Sequence, residues 1–100
     1  GEIEATLGGE QRVLVLTLGA LAELEDAFGG EDMLELATRF ETGRIGARDA
    51  IRVIGAGLRG AGTSISDEDV AQMSTEGGAA GYIAIVADLL TATFSGGGEM

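Results

Sequence analysis

Between Ala79 and Phe94 the chain reads AAGYIAIVADLLTATF, and Asp88 is its one charged residue. At helical spacing this stretch carries two apolar stripes. Ile83, Val86, Leu90 and Phe94 mark one, and Tyr82, Ile85 and Leu89 mark the other. A surface helix needs one apolar stripe, and a helix apolar all round is a buried helix. The stretch therefore demands either that other helices wrap it or that one stripe docks a partner. The wrapped, central helix is the preferred reading. A membrane span is excluded for it, because the longest apolar run, Tyr82 to Ala87, is far short of the roughly 20 residues a bilayer requires.

The rest of the chain supplies elements to do the wrapping. Glu2 to Leu7 alternates, with Ile3, Ala5 and Leu7 on one side and Glu2, Glu4 and Thr6 on the other, as in a half-buried strand. Gly8, Gly9 and Glu10 form a hairpin turn. Gln11 to Leu16 returns with Val13 and Val15 on one face and Leu14 and Leu16 on the other, so this strand is expected to be the more buried one. Next comes LTLGALAELEDAFG, residues 16–29, an amphipathic helix with a marked start and stop. Thr17 suits the N-cap, Leu21, Leu24 and Phe28 share a face, and Gly29 and Gly30 end it.

Glu31 to Glu41 reads as a second helix, with Asp32 and Glu35 placed for a capping-box arrangement and Met33, Leu36, Ala37 and Phe40 apolar. A third helix is expected from about Ala47 to Leu58, with Ala50, Ile51, Ile54 and Leu58 inward. Gly60 to Ser66 is a loop. Ser66 opens a short fourth helix, with Asp69 three residues on as its capping partner. Met73 to Gly78 is a second loop before the apolar helix, and GGGEM is a frayed tail.

One hundred residues suffice for one core and not for two. The chain has no histidine, cysteine or lysine. The commonest general base, the thiolate nucleophile and the commonest transition-metal ligand are thus all missing, and Ser64, Ser66 and Ser74 have nothing to activate them. The formal net charge of −11 opposes binding to nucleic acid and to anionic membrane surfaces. No enzymatic activity, cofactor, metal or small-molecule substrate is expected.

Two constellations test that exclusion. Gly55, Gly57 and Gly60 spell GAGLRG, which matches the dinucleotide-binding fingerprint. That mechanism requires a buried strand before the glycines and a full helix after them, whose N-terminus holds the pyrophosphate. Here ARDAIRVI before it has helical spacing and AGTSISDED after it is a loop, so a glycine-rich helix end is preferred. Asp67, Glu68 and Asp69 lack the alternating spacing and central glycine of a calcium loop. Acids in a first helical turn are expected from the helix dipole.

Charge is segregated along the chain. Five of the six arginines lie between Arg39 and Arg59, opposed only by Glu41 and Asp49. That stretch is locally +3, which leaves −14 on the remainder. Arg44, Arg48 and Arg52 are spaced by four and form one stripe if the helix starts early enough. The stripe can bridge to acidic faces within the molecule, each pair contributing little, or steer an acidic partner or a second copy.

The chain resembles a known family. LTLGALAELEDAFG, RIGARDAIRVIGAGLRGAG, SDEDVAQM with the following EGG, and the apolar helix ending in LLTATF are similar to the gene-transfer-agent family of small phage-tail proteins, encoded in alphaproteobacterial gene transfer agents and related prophages. The resemblance covers nearly the whole chain and departs at Ser74, where the family often has proline. Its motifs are structural, so it implies no active-site residues. The family is described both as a tail tube protein and as a tail assembly chaperone. The chaperone role is preferred, because a tube subunit usually closes a ring with a β-sandwich, whereas this chain shows one hairpin. Family chaperones are small, partly helical and acidic, and coat the tape-measure protein before the tube forms. The resemblance then implies tape-measure or other tail proteins as partners, with self-association possible, and residence in the bacterial cytoplasm; a structural subunit would reside in the tail.

The expectations are as follows. The fold is α+β, an N-terminal β-hairpin packed on four to five helices, in one domain over residues 1–95 with a flexible tail at 96–100. Leu16, Leu21, Leu24, Phe28, Leu36, Phe40, Ile51, Ile54, Leu58, Ile83, Val86 and Leu90 form the core. Tyr82, Ile85 and Leu89 form the partner-binding stripe, and Arg44, Arg48 and Arg52 are the alternative surface.

Overall fold

A computed structural model describes residues 2–30, 35, 38, 46–75 and 77–94. Two strands, β1 (Glu2–Leu7) and β2 (Glu10–Val15), pair antiparallel from Leu7 opposite Glu10 to Glu2 opposite Val15. The turn works because Gly8 and Gly9 sit at φ of 61° and 82°, as a type I′ turn demands and side-chain-bearing residues resist. A lone hairpin is marginal in water. Leu7 and Leu14 anchor this one, both fully buried, each burial contributing roughly 1.5–3 kcal/mol. The other face, with Glu4, Gln11 and Val13, is open to solvent. Val13 is thus exposed, and β2 is covered on one face like β1, against expectation. The two-stranded sheet packs one side on the helices, and of the Val13–Val15 face Val13 is exposed and Val15 half-buried.

Helix α1 (Leu18–Ala27) begins where the Ala20 N–H donates to Thr17 Oγ1 at 3.1 Å. It ends where Gly29 and Gly30 adopt φ of 80° and 90°. Leu21 and Leu24 are buried and Phe28 packs at the edge of the core. Helix α2 (Ala47–Gly60) extends two residues beyond the expected end. Asp49 Oδ2 accepts from the Gly46 N–H at 3.2 Å at its start. Helix α3 (Asp67–Ala71) shows the expected reciprocal cap: the Asp69 N–H donates to Ser66 Oγ and the Ser66 N–H to Asp69 Oδ2. Helix α4 (Gly78–Phe94) is the apolar one. Its lead-in segment is tied to the hairpin, with the Gly8 N–H donating to the Ser74 carbonyl at 2.7 Å and Thr75 Oγ1 to the Thr6 carbonyl at 3.0 Å.

The architecture is α+β, as expected, but its centre is α2 and not α4. Helix α2 contacts β2, α1, α3 and α4, whereas α4 contacts α2 and the hairpin. Residues 53–58 of α2 are buried without a break. Among its described residues helix α4 buries Ile85, Val86, Leu89 and Leu90, and its far side is exposed. Ile83, placed in the core by its spacing, is half exposed at 50%. Leu16, Leu21, Leu24, Ile54, Leu58, Val86 and Leu90 are buried as expected, while Phe28 and Ile51 pack at the margin. Leu7, Leu14, Val53, Val70, Ile85 and Leu89 complete the interior. The expected helix over 31–41, with Leu36 and Phe40, lies outside the described residues except for Glu35 and Thr38, which are helical. The tail at 96–100 lies outside them too.

Candidate functional site

The glycine fingerprint sits inside α2, so it makes no phosphate loop. Each glycine marks a close approach instead. A methyl group on Gly57 would lie 2.8 Å from Leu89 Cδ2 and 3.2 Å from Leu14 Cβ. One on Gly60 would overlap the Val15 carbonyl oxygen, and one on Gly55 the Asp67 carboxylate. The glycines let α2 nestle against β2, α3 and α4 at once. That role corrects the nucleotide-binding alternative, since no backbone N–H groups of this segment are free to cradle a phosphate: they are spent within a helix.

Two arginines of α2 tie elements together. Arg59 Nη1 donates to the Ile65 carbonyl and to Asp67 Oδ1, both at 3.0 Å, and Nη2 donates to Glu23 Oε1. One side chain thereby joins α1, α2 and the segment leading to α3. Burial at this junction disfavours the Arg59 charge, but the hydrogen bonds and charges of Glu23 and Asp67 outweigh it and hold its pKa above the ordinary value. Arg52 donates to the Ala27 carbonyl at 2.8 Å, at the C-terminal end of α1, and its guanidinium stands 5.9 Å from the centre of the Phe28 ring. Arg48 is exposed, and Arg44 lies outside the described residues. The expected stripe is therefore not one free surface, because Arg52 is held against α1. Two of the three acids of α3 are likewise in use: Asp67 pairs with Arg59 and Asp69 caps its own helix. Among the described residues no group of acids is arranged to hold a metal ion.

The proposed binding stripe on α4 needs a larger correction. Ile85 is 9% exposed and Leu89 is fully buried, so both belong to the core of the isolated chain. Tyr82 is half buried, and its hydroxyl donates to the Met73 carbonyl. The stripe left in solvent is the opposite one, where Ile83, Ala84, Ala87 and Phe94 are exposed together with Asp88. Beside it lies an apolar groove of about 410 Å³, lined by Gly46, Ala47, Ala50, Ile51 and Ile54 of the α2 side, Val70 and Ala71 of α3, and Tyr82 and Ile83 of α4. Periodicity located the apolar positions of α4, but the buried arc takes Val86 and Leu90 from one stripe and Ile85 and Leu89 from the other, and leaves Ile83 and Phe94 outside. The groove has no local signature, since three separate elements build it.

The exposed stripe of α4 and the groove beside it together present mainly apolar side chains. Among the described residues no helix is long and apolar enough to cross a membrane. Residues 1–96 match the family described as phage tail tube protein, GTA-gp10. No curated protein and no solved structure matches the chain. With the match spanning nearly all of its length, this chain belongs to the GTA-gp10 family of phage tail tube proteins, the gene-transfer-agent tail proteins its sequence resembles.

Proposed function

We propose that this chain is a non-enzymatic structural subunit of a gene-transfer-agent tail, held in the particle by contacts with other tail proteins and with copies of itself. The observation that carries this reading is the family match over residues 1–96, whose description is that of a tail tube protein. It favours a tail subunit over the chaperone expected from the fold. The side chains agree: the polar groups that hold the fold together are mutually satisfied, and the exposed stripe of α4 is apolar.

A second reading, an assembly chaperone covering the tape-measure protein, draws on one observation. Among the described residues the only sheet is the two-stranded hairpin, less than a ring closed by sheet edges uses. Mass spectrometry of purified particles separates the two. A subunit is recovered at a stoichiometry comparable with the other tail proteins. Recovery only from the lysate, bound to tape-measure protein and missing from particles, would replace the first reading by the second.

A further inference from the structure

We infer that the outer edge of β1 takes an added strand from a different protein, an extended segment that alternates basic and apolar residues. Only the hairpin and its charges carry this, so it stands apart from the tail-subunit reading. In an antiparallel pair the residues flanking a two-residue turn exchange both backbone bonds, and such pairs alternate along the strands with pairs that exchange none. By the register, Leu7, Ala5 and Ile3 bond across to Glu10, Arg12 and Leu14. Thr6, Glu4 and Glu2 therefore aim their N–H and carbonyl groups away from β2. The molecule itself uses one end of this edge: Thr75 Oγ1 donates to the Thr6 carbonyl, and just beyond it the Gly8 N–H donates to the Ser74 carbonyl. Among the described residues no such bond reaches the outward groups of Glu2 or Glu4, and both residues are exposed. Common protections of a free edge are missing here: EIEATL has no proline and no lysine, and its register with β2 runs without a bulge.

Two carboxylates on the edge select its occupant. Glu2 and Glu4 lie on the solvent face of the sheet, and Glu4 is held there by accepting from Gln11 Nε2 at 3.1 Å. The residue directly opposite each of them in an added strand points to the same face, where Lys or Arg is favourable and a like charge is not. A second copy offering its own β1 edge would set glutamate against glutamate, and the formal net charge of −11 adds to that repulsion. The edge thus rejects its own kind and admits a basic strand. On the opposite face Ile3 and Ala5 are half-buried at the margin of the core. The intervening positions of the added strand therefore gain from being apolar. Backbone bonds provide the hold and alternate side chains the selectivity, as in other cases of strand addition. The free stretch is short, so a short peptide binds weakly.

Titration of the isotopically labelled full chain with synthetic peptides, read by NMR and amide hydrogen exchange, tests this. The first probe is a capped peptide alternating lysine and valine, as long as the six residues of β1. At millimolar concentration it shifts the Glu2 and Glu4 amides. It slows exchange at Glu4 roughly tenfold once about nine-tenths of the chain is bound, since exchange then needs the free remainder. Ile3 and Ala5, already bonded to β2, change little. Methylating the backbone nitrogens of the lysines abolishes binding, because those N–H groups face Glu2 and Glu4. Methylating those of the valines, which face away, leaves binding intact, although both peptides keep the same charge. A peptide alternating glutamate and valine has no effect on the natural chain. Glu4→Lys, a change at an exposed side chain, weakens the lysine probe and strengthens the glutamate probe. Equal binding of the two methylated peptides overturns the inference, since it reduces the contact to attraction between charges. So do shifts confined to the groove between α2, α3 and α4, or a complete lack of binding at millimolar peptide. Protection of Glu4 on concentrating the chain alone overturns it as well, and gives the edge to a second copy.

Discussion

Replacing Gly60 by alanine tests the account of α2 most directly. Two effects oppose each other. Alanine favours the helical state over glycine by about 1 kcal/mol in a helix interior, and less than that at Gly60, the last residue of α2. Against it, the new methyl group would overlap the Val15 carbonyl oxygen and touch Ala20 Cβ at 3.6 Å. The obstacle is backbone of β2, so it cannot swing aside as a side-chain end can. Relief requires moving the strand away from the helix, an overpacking cost of typically 1–3 kcal/mol. The net expectation is a loss of about 1–2 kcal/mol, which lowers the midpoint by roughly 4–16 °C for a domain of this size. Gly55→Ala is the paired control. There the methyl group meets the Asp67 carboxylate and the end of Arg59, both side-chain termini. Displacing a partly exposed ion pair costs about 1 kcal/mol or less, which the gain in helix propensity offsets, so stability changes little. Urea unfolding followed by circular dichroism measures both. If Gly60→Ala proves as stable as the natural chain or more so, the glycine is merely a helix stop, and the close approach of α2 to β2 is refuted.

Leu89→Ala is expected to cost about 2–5 kcal/mol, as for other large-to-small changes in packed interiors, because Leu89 is fully buried; Ile83→Ala stays within about 1 kcal/mol, and equal losses in thermal unfolding would erase the distinction between the two faces of α4. Arg59→Gln removes the junction with Glu23, Asp67 and Ile65, at a cost of about 1 kcal/mol for partly exposed bonds. The Arg59 pKa is raised, so its contribution is complete from neutral pH up to the ordinary arginine range and is lost as pH rises through the raised value. Urea midpoints of Arg59→Gln and the natural chain should therefore differ equally at neutral pH and at about pH 10, and a gap that closes by pH 10 contradicts this. NAD, FAD and ATP leave the thermal midpoint unchanged, since any specific ligand of the folded state must raise it; a reproducible rise with one of them would restore a binding role to GAGLRG.

Much of the fold is local and hence legible. The hairpin turn follows from two adjacent glycines, the start of α1 from a threonine hydroxyl three residues ahead of the N–H it accepts, and the start of α3 from a serine and aspartate three apart. The surface reading was less legible. The Arg44, Arg48 and Arg52 spacing is real, but nothing within a few residues reveals that Arg52 reaches Ala27, 25 positions away. Tyr82 and Met73 are likewise joined only once the chain has folded back.

Among the described residues, what the sequence by itself determined is the set of elements and most of their ends, because caps and turns are made by residues within hydrogen-bonding reach along the chain. The tertiary structure alone decided which of them is central. Hydropathy pointed to α4, whose apolar positions are equivalent on a helical wheel until neighbours cover an arc of them. The hairpin and α2 cover Ile85 and Leu89 and leave Ile83 outside. The true centre, α2, is inconspicuous because its burial comes from small size as much as from apolarity. Gly57 and Gly60 lie in contact with β2 because they have no side chain to hold it off, and that advantage exists only where another backbone arrives to use it.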